Sequence, residues 1–358
     1  RLLEPHLERE GLDLRLSTKL VRLEGDGEGR VARVVTDQDE FETNAVILAT
    51  GVRANVGLAR EAGLALGPTG AIAVNEYLQT SDPAIYAGGD CVEDTHLVTG
   101  RKVCCPLGTT ANKHGRVIGT NIVGGHEKFA GVLGTTAVQV MDFNIGCTGL
   151  NETNARRQGY SVVTSCVPTV DCAHFFPMHA PITLKLVADA ETRRLLGAQV
   201  VGPGEAVKRV DVAAMAIGLQ ATVDQLAESD LGYAPPFSTA IDPLAHAANV
   251  CRNKLDGLAD GCSVAQLKGW LESGKEVTLV DVRTPSEMKQ LRQPFGPRVL
   301  SIPLAELRQR AGEIPTDRPV VVYCQLGTRS YDAQRVLAGA GFSAVRFLEG
   351  GLAAWTGR

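Results

Sequence analysis

The apolar run Val320-Val-Val-Tyr323 ends in a cysteine, and four residues separate that Cys324 from Arg329. No other stretch restricts the fold as tightly. A buried strand must stop at Cys324, turn through Gln325-Leu326-Gly327-Thr328-Arg329, and hand over to a helix at about Ser330. A loop this short curls its backbone N–H groups inward and makes an anion-binding nest around the sulfur. Gly327 permits the curl. The helix N-terminus adds partial positive charge, so a thiolate is expected at Cys324 at neutral pH. Arg329 is placed to receive an anionic sulfur donor. Cysteine-dependent phosphatases put one residue more between cysteine and arginine, so the smaller ring here suits a persulfide sulfur better than a tetrahedral phosphate. The alternative is a buried strand-end cysteine without chemistry.

Around this motif the sequence alternates between two periods. Helix over 264–272, strand over 277–282, helix over 304–311, strand over 319–323, helix over 330–340 and strand over 344–348 predict a small parallel α/β domain. The whole chain of 358 residues has room for two or three such units. Residues 263–358 carry 13 Lys and Arg against 9 Asp and Glu, whereas residues 1–262 carry 23 against 31. That asymmetry supports separately evolved parts. The formal net charge of -4 lacks the basic footprint of a nucleic-acid partner. No apolar run approaches the roughly 18 residues of a membrane span. The 9 cysteines include no C-x-x-C pair and no finger-like spacing, so neither a disulfide framework nor a metal site is expected. The expectation is a cytoplasmic protein of mostly buried, reduced thiols, with Cys324 set apart.

The rest of the chain reads as two further units. The chain begins with Arg1, and its first segment reads as a helix entered in mid-course. Leu12–Leu16 and Arg30–Val35 read as short strands around a glycine-rich turn. Ala45-Val-Ile-Leu-Ala49, closed by Thr50-Gly51, has the pattern of a strand buried on both faces. A short helix over 58–62, strands near 72–74 and 85–86, and a helix over 109–122 follow. From about Gly134 to Asn249, strands at 138–140, 161–164, 182–187 and 195–201 predict a mostly antiparallel sheet, with helices over 151–158 and 207–218. Residues 250–262 read as a linker.

In Thr80-Ser-Asp-Pro-Ala-Ile-Tyr-Ala-Gly-Gly-Asp90, an extended segment leads into a predicted buried strand, and Gly88 and Gly89 let backbone approach a ligand. Asp90 then falls at the strand's carboxyl end, where open α/β sheets bind ligands. The competing reading makes Asp90 a helix cap. Ala45–Gly51, Thr80–Asp90 and Pro106-Leu-Gly-Thr-Thr-Ala-Asn-Lys-His-Gly-Arg116 together resemble the flavoprotein pyridine nucleotide-disulfide oxidoreductases, which are built on two dinucleotide-binding domains. That resemblance implies FAD, held by Gly89 and Asp90 and by Pro106, Leu107, Thr109, Thr110 and Ala111 at the start of the helix, and it implies NADH or NADPH as reductant. Lys113 and Arg116 read as solvated helix charges. Neither glycine fingerprint of the family, nor its redox cysteine, is present, so the chain resembles such a reductase without its front part.

Residues 130–255 resemble the interface domain of the coenzyme A disulfide reductase and CoA-persulfide reductase branch, through Leu231-Gly-Tyr-Ala-Pro-Pro-Phe-Ser-Thr-Ala-Ile-Asp-Pro-Leu-Ala-His-Ala-Ala-Asn-Val250. The resemblance implies a homodimer in which Tyr233 reaches the partner's active site. From the residues alone, Tyr233 is equally an interfacial or core aromatic. The branch's Tyr-Tyr-Pro is here Phe175-Phe176-Pro177, which removes two hydroxyls, and His174 and His179 flank that position.

Leu279-Val-Asp-Val-Arg-Thr-Pro-Ser-Glu287, Ser301-Ile-Pro-Leu304, Val320–Ser330 and Leu348-Glu-Gly-Gly-Leu-Ala-Ala-Trp355 resemble the rhodanese domain over residues 263–358. Asp281, Arg283 and Glu287 read there as structural ion-pair residues, and the approach Gly296-Pro-Arg-Val-Leu300 departs from the domain's usual pattern.

The expected organisation is therefore α/β: a partial two-dinucleotide-binding-domain flavoprotein core, an α+β interface domain and a small parallel rhodanese domain. Its parts are a remnant of the NAD(P)H-binding domain (1–53), half of the FAD-binding domain (54–128), the interface domain (129–253), a linker (254–262) and the rhodanese domain (263–358). The implied activity is NAD(P)H-dependent reduction of CoA persulfide, polysulfide or CoA disulfide. Sulfane sulfur, from thiosulfate among other donors, would be carried on Cys324 with Gln325 to Ser330 as the binding loop, and coenzyme A is a candidate ligand. The alternative is a dimeric sulfur-carrier module that delivers persulfide to a partner without reducing anything.

Overall fold

The computed structural model describes residues 2–290, 294–296 and 299–355. It opens with helix α1 (Leu3–Arg9) and an antiparallel sheet of β1 (Leu20–Gly25), β2 (Val31–Thr36) and β3 (Glu40–Glu42). Two expected strands are not formed. Leu12–Leu16 is turn and coil, and Ala45–Ala49 belongs to no strand. Ile47 is 93% exposed. A continuous apolar run predicts a buried strand only where neighbours supply ladder partners and cover; among the described residues no strand pairs with 45–49.

Helix α2 (Gly57–Glu61) leads into loops joined by isolated bridges, Ile72 to Val92 and Gln79 to Tyr86. The strands expected near 72–74 and 85–86 are reduced to these bridges. A hairpin of β4 (Asp94–Thr95) and β5 (Lys102–Val103) precedes helix α3 (Gly108–Ile122). The buried stripe of α3 is Thr110, His114, Val117 and Asn121, the spacing of one helical face. Its polar members tie loops to the helix. Asn121 donates to the carbonyls of Tyr77 and Glu127 and accepts from the Glu127 N–H.

The second unit is a five-stranded antiparallel sheet in the order β6-β7-β10-β9-β8. Its strands are β6 (Thr136–Val140), β7 (Phe143–Gly149), β8 (Val162–Val170), β9 (Pro181–Asp189) and β10 (Leu195–Gly202). Helices α4 (Glu152–Arg157), α5 (Val207–Gly218), α6 (Val223–Ala227) and α7 (Pro243–Leu255) accompany it. On β9, Ile182, Leu184 and Leu186 alternate inward and pack against Val210, Ala213 and Ile217 of α5 and Leu244 and Ala248 of α7. Each such aliphatic side chain contributes about 1.5–3 kcal/mol by burial. Caps fix the helix starts: Asn151 accepts from the Asn154 N–H, Thr222 and Gln225 form a reciprocal capping box, and Asp242 accepts from the Leu244 N–H beside Pro243.

The segment expected to be a linker is largely built into these units. Helix α7 runs on to Leu255, and β11 (Gly261–Cys262) pairs with a strand of the third unit. That unit is a parallel sheet in the order β11-β15-β14-β12-β13, formed with β12 (Thr278–Asp281), β13 (Val299–Ser301), β14 (Val320–Tyr323) and β15 (Val345–Leu348). Helices α8 (Val264–Glu272), α9 (Pro285–Gln290), α10 (Leu307–Arg310), α11 (Thr328–Gly339) and α12 (Gly351–Ala354) flank it. Of the Gly296–Leu300 approach singled out in the sequence, Pro297 and Arg298 lie outside the described residues. Among the described residues no helix is long and apolar enough to cross a membrane.

Candidate functional site

Strand β14 is wholly buried, and it delivers Cys324 to the carboxyl edge of the parallel sheet. The chain turns at Gly327, whose φ of +106° is open to glycine and costly for other residues. This turn carries the Gly327 N–H to 3.2 Å from Cys324 Sγ, to which it donates. Ser330 braces the loop by donating to the Gly327 carbonyl at 2.7 Å, and its Oγ lies 3.6 Å from Cys324 Sγ. Helix α11 begins at Thr328, two residues before the expected Ser330, so its N-terminus faces the loop more closely than the apolar pattern indicated. Gln325 is half-buried, and Leu326 and Thr328 are exposed at the rim.

Arg329 is near the sulfur, but its guanidinium is already engaged. It donates to both carboxylate oxygens of Glu287, at 2.7 and 2.6 Å. Glu287 also accepts from the Thr284 backbone N–H and hydroxyl. The Arg329 pair, with these bonds, lowers the Glu287 carboxyl from an ordinary 4.5 to about 2. This contribution to stability is complete above the ordinary carboxylate range and lost as pH falls from there through about 2. In Glu287→Gln, the fall in Tm on acidification across that window should flatten. Trp270 and Trp355 fluorescence reports it, because both tryptophans of the chain lie in this domain. Asp281 and Arg283 form a separate, fully buried pair beneath the loop, 2.8 Å apart, as the sequence reading expected.

The loop is held from outside by the start of α12, in the Leu348–Trp355 segment. The Leu352 N–H donates to the Cys324 carbonyl and the Ala353 N–H to that of Gln325, both at 2.9 Å. These donors reach the loop because Gly350 and Gly351 adopt φ of +71° and +55°. A Cβ at Gly351 would meet the Cys324 carbonyl oxygen at 2.6 Å and that of Gln325 at 2.7 Å. Gly351→Ala is therefore expected to displace the loop and cut sulfur transfer on the order of a hundredfold, the usual cost of a misplaced reacting group. The check is kcat alongside a near-native circular dichroism spectrum. The sequence carries the signal: two consecutive glycines one residue past a buried strand mark a turn of positive φ.

In the first unit, Gly88-Gly89-Asp90 follows a single bridge rather than a strand, and no helix starts at Asp90, which removes the capping alternative. Asp90 is exposed. The turn is bound to α3 by His114, whose Nδ1 accepts from the Gly89 N–H at 3.0 Å, while Nε2 lies 3.0 Å from Asp94 Oδ1. A Cβ on Gly88 would lie 2.9 Å from that of His114, and one on Gly89 3.8 Å from that of Ala111. The turn therefore packs on α3 over Ala111, His114 and Ile118, and the helix's N-cap Leu107 offers no side-chain acceptor. Pro106 and Thr109 are exposed there. The Thr110 side chain instead points inward to Cys105 Sγ, and the Ala111 N–H is taken by the Leu107 carbonyl. Lys113 and Arg116 are exposed, as expected.

In the second unit, Tyr233 is 50% exposed, and Phe175, Met178, Phe237 and Ile241 are exposed as well. The segment around Tyr233 is tied to the 171–180 loop by the Ala173 N–H, which donates to the Pro235 carbonyl. His179 lies 2.7 Å from the Phe176 carbonyl through Nδ1, and His174 packs edge-on to Phe175. Sequence reading missed Arg209. This arginine is 1% exposed and donates to the carbonyls of Asp171 and Phe237.

These three units define the class. Residues 1–115 match the pyridine nucleotide-disulphide oxidoreductases, residues 135–245 match that family's dimerisation domain, and residues 263–358 match the rhodanese-like domain. The chain belongs to the pyridine nucleotide-disulphide oxidoreductases and carries a C-terminal rhodanese-like domain. Among its relatives is the CoA-dependent NAD(P)H sulfur oxidoreductase of Pyrococcus abyssi, 44% identical over 244 residues, covering 68% of this chain and 54% of that protein. Another is the NAD(P)H coenzyme A polysulfide/persulfide reductase of Pyrococcus horikoshii, 43% identical, with coverage of 70% and 56%. The NAD-dependent persulfide reductase from A. fulgidus is 44% identical, with a TM-score of 0.91, covering 99% of this chain and 63% of that one. The reduced CoADR-RHD of Bacillus anthracis is 36% identical, with a TM-score of 0.90 and coverage of 98% and 61%. The chain thus spans about half the length of the curated relatives it matches.

Proposed function

We propose that this chain works in the NAD(P)H-dependent reduction of CoA persulfide, polysulfide or CoA disulfide through FAD, and that its own chemistry is sulfur transfer at Cys324. The observation that carries the reading is the enclosure of Cys324 Sγ by the Gly327 N–H within a loop that opens helix α11. Such a site holds a negative sulfur without a metal. In the first half-reaction, the Cys324 thiolate attacks the outer sulfur of a persulfide R–S–SH, forms Cys324–S–SH and expels R–S⁻. In the second, an acceptor thiolate attacks that outer sulfur, takes it as R′–S–SH and returns the Cys324 thiolate. Gln325, Leu326, Gly327, Thr328 and Ser330 are the walls of the loop. Arg329, held by Glu287, is a fixed positive neighbour.

The residues of the first unit fit a flavin's polyol and pyrophosphate chain. The Gly88–Gly89 turn is pressed onto α3, Asp90 is exposed, and the N-terminus of α3 has no side-chain cap. Asp90 and Gly89 would hold the chain, with Pro106, Leu107 and Thr109 and the backbone of Thr110 beside it. Bound there, FAD supplies hydride chemistry from NADH or NADPH. The exposed Phe175, Met178, Tyr233 and Phe237 favour pairing of two copies through the dimerisation domain, with Tyr233 at the partner's site and coenzyme A as the thiol carrier.

The reading is tested by assaying the chain for transfer of sulfur from thiosulfate or polysulfide to cyanide. Thiocyanate release that depends on Cys324 supports it. Release that is unaffected by loss of that thiol overturns it.

A further inference from the structure

The dimerisation domain and the rhodanese domain meet on the turn that holds the catalytic loop. Lys254, near the end of α7, donates to Glu349 Oε1 at 2.5 Å and to the Thr164 carbonyl of β8 at 2.6 Å. Lys254 and Glu349 side chains are 15% and 7% exposed. Glu349 is the residue between β15 and the Gly350–Gly351 turn, and its own N–H is bonded to the Cys262 carbonyl of β11. Its carboxylate leaves no room beside Gly261, where a Cβ would lie 2.2 Å from Oε1. Across the seam Pro168 of β8 closes on Gly350, at 3.3 Å from a Cβ placed there. A cavity of about 240 Å³ opens beside this contact, with Cys166, His246 and Asn249 on one wall and Leu326, Thr328 and Tyr331 on the other. Walls from both domains thus reach the loop.

We propose that Lys254 is a positioning residue for sulfur transfer: through Glu349 it sets the Gly350–Gly351 turn, and through that turn the Cys324 loop. The proposal rests on the reading of Cys324 as the sulfur carrier. The physical chain is short. A half-buried ammonium with one carboxylate and one carbonyl as acceptors has a single good geometry. Glu349, anchored at its backbone and its carboxylate, cannot rotate. The two glycines that follow then present the Leu352 and Ala353 N–H groups to the Cys324 and Gln325 carbonyls in one geometry. Lys254 lies 70 residues before Cys324 and in the other domain, so a loop-local account gives it no role.

The test uses the full chain with Lys254→Met, Glu349→Gln, the two combined, and Lys254→Arg. Hydrogen exchange at the Gly327 amide and iodoacetamide labelling of Cys324, read by mass spectrometry, report the loop directly; thiosulfate-to-cyanide transfer reports its use. Both single variants should speed exchange at Gly327 and lower kcat on the order of tenfold to a hundredfold, as a misplaced reacting group does, with KM for thiosulfate changed by less than about twofold. The combined variant should be no worse than either single one, the mark of one shared interaction. Lys254→Arg should recover most of kcat. A Lys254→Met chain with unchanged exchange, labelling and kcat overturns the proposal, as does a combined variant whose losses multiply. If the single variants do not fold, the combined one, which strands no charge, decides by the same readouts. If transfer proves independent of Cys324, the functional reading fails, while exchange and labelling still decide the role of Lys254.

Discussion

Serine at position 324 is expected to bring sulfur transfer down to background while leaving the fold intact. The substitution keeps the loop's hydrogen bonds in place. Gly327 would still donate to the hydroxyl, Ser330 would still brace the Gly327 carbonyl, and Leu352 and Ala353 would still hold the carbonyls of Cys324 and Gln325. What disappears is the nucleophile. A hydroxyl at neutral pH has neither the thiolate fraction nor the affinity for a sulfane sulfur that the covalent intermediate requires. Burial holds most of the other cysteines as thiols. Cys166, Cys251 and Cys262 are pushed up to about 11, about 11 and about 12 by burial, so their thiolates are scarce near neutrality. Burial likewise raises Cys105. Cys104 is exposed, but desolvation raises it as well. Thiocyanate production by wild type and Cys324→Ser, side by side, measures the effect. Unaltered circular dichroism in the variant separates chemistry from folding.

The second large effect is on stability. Arg209→Met should destabilise the dimerisation domain by about 3–5 kcal/mol, the usual cost of breaking a buried pair from one side. Arg209 Nη2 donates to the Asp171 carbonyl at 2.5 Å and lies 3.3 Å from Asp242 Oδ2; Nη1 donates to the Glu205 carbonyl and carboxylate, both at 3.0 Å. Asp242 is 7% exposed. Without the arginine it keeps only the Ser238 hydroxyl and the Leu244 N–H as partners. The charge left behind is the main cost, so Arg209→Met with Asp242→Asn should recover part of the loss. The domains are followed separately. Far-UV circular dichroism in urea should show an early transition in the variant. Tryptophan fluorescence should keep the wild-type midpoint, since Trp270 and Trp355 are both outside the dimerisation domain.

Much of this arrangement was written in local pattern. Strands β12, β14 and β15 and helices α8 and α11 of the rhodanese domain followed from alternating period, whereas the short β11, β13, α9 and α12 did not; the Cys324 loop followed from a strand end, a glycine and a helix start within a few residues. Four of the five antiparallel strands were visible too, because residues such as Ile182, Leu184 and Leu186 alternate along β9, while β7 and helix α7 were missed. Two kinds of feature were not. Ala45–Ala49 has the composition of a buried strand, yet burial is a property of neighbours, and no described strand pairs with it. The pairs that organise the sites are long-range: Arg329 with Glu287, His114 with Gly89 and Asp94, Lys254 with Glu349. No spacing rule joins residues 42 or 95 positions apart. A weaker signal was nevertheless there. Arg209 falls on the same face of α5 as Ala213 and Ile217, and His114 on the same face of α3 as Val117. A charged or polar residue on the stripe that must be buried announces a partner elsewhere, although it does not say which.

The central claim is that one sulfur atom rides on Cys324. Intact-mass measurement after brief exposure of the chain to polysulfide, followed by peptide mapping, tests it most directly. The account requires a single added sulfur at Cys324, released as one equivalent of thiocyanate on addition of cyanide. Sulfur found instead on another cysteine, or a persulfide at Cys324 that cyanide does not discharge, would contradict it.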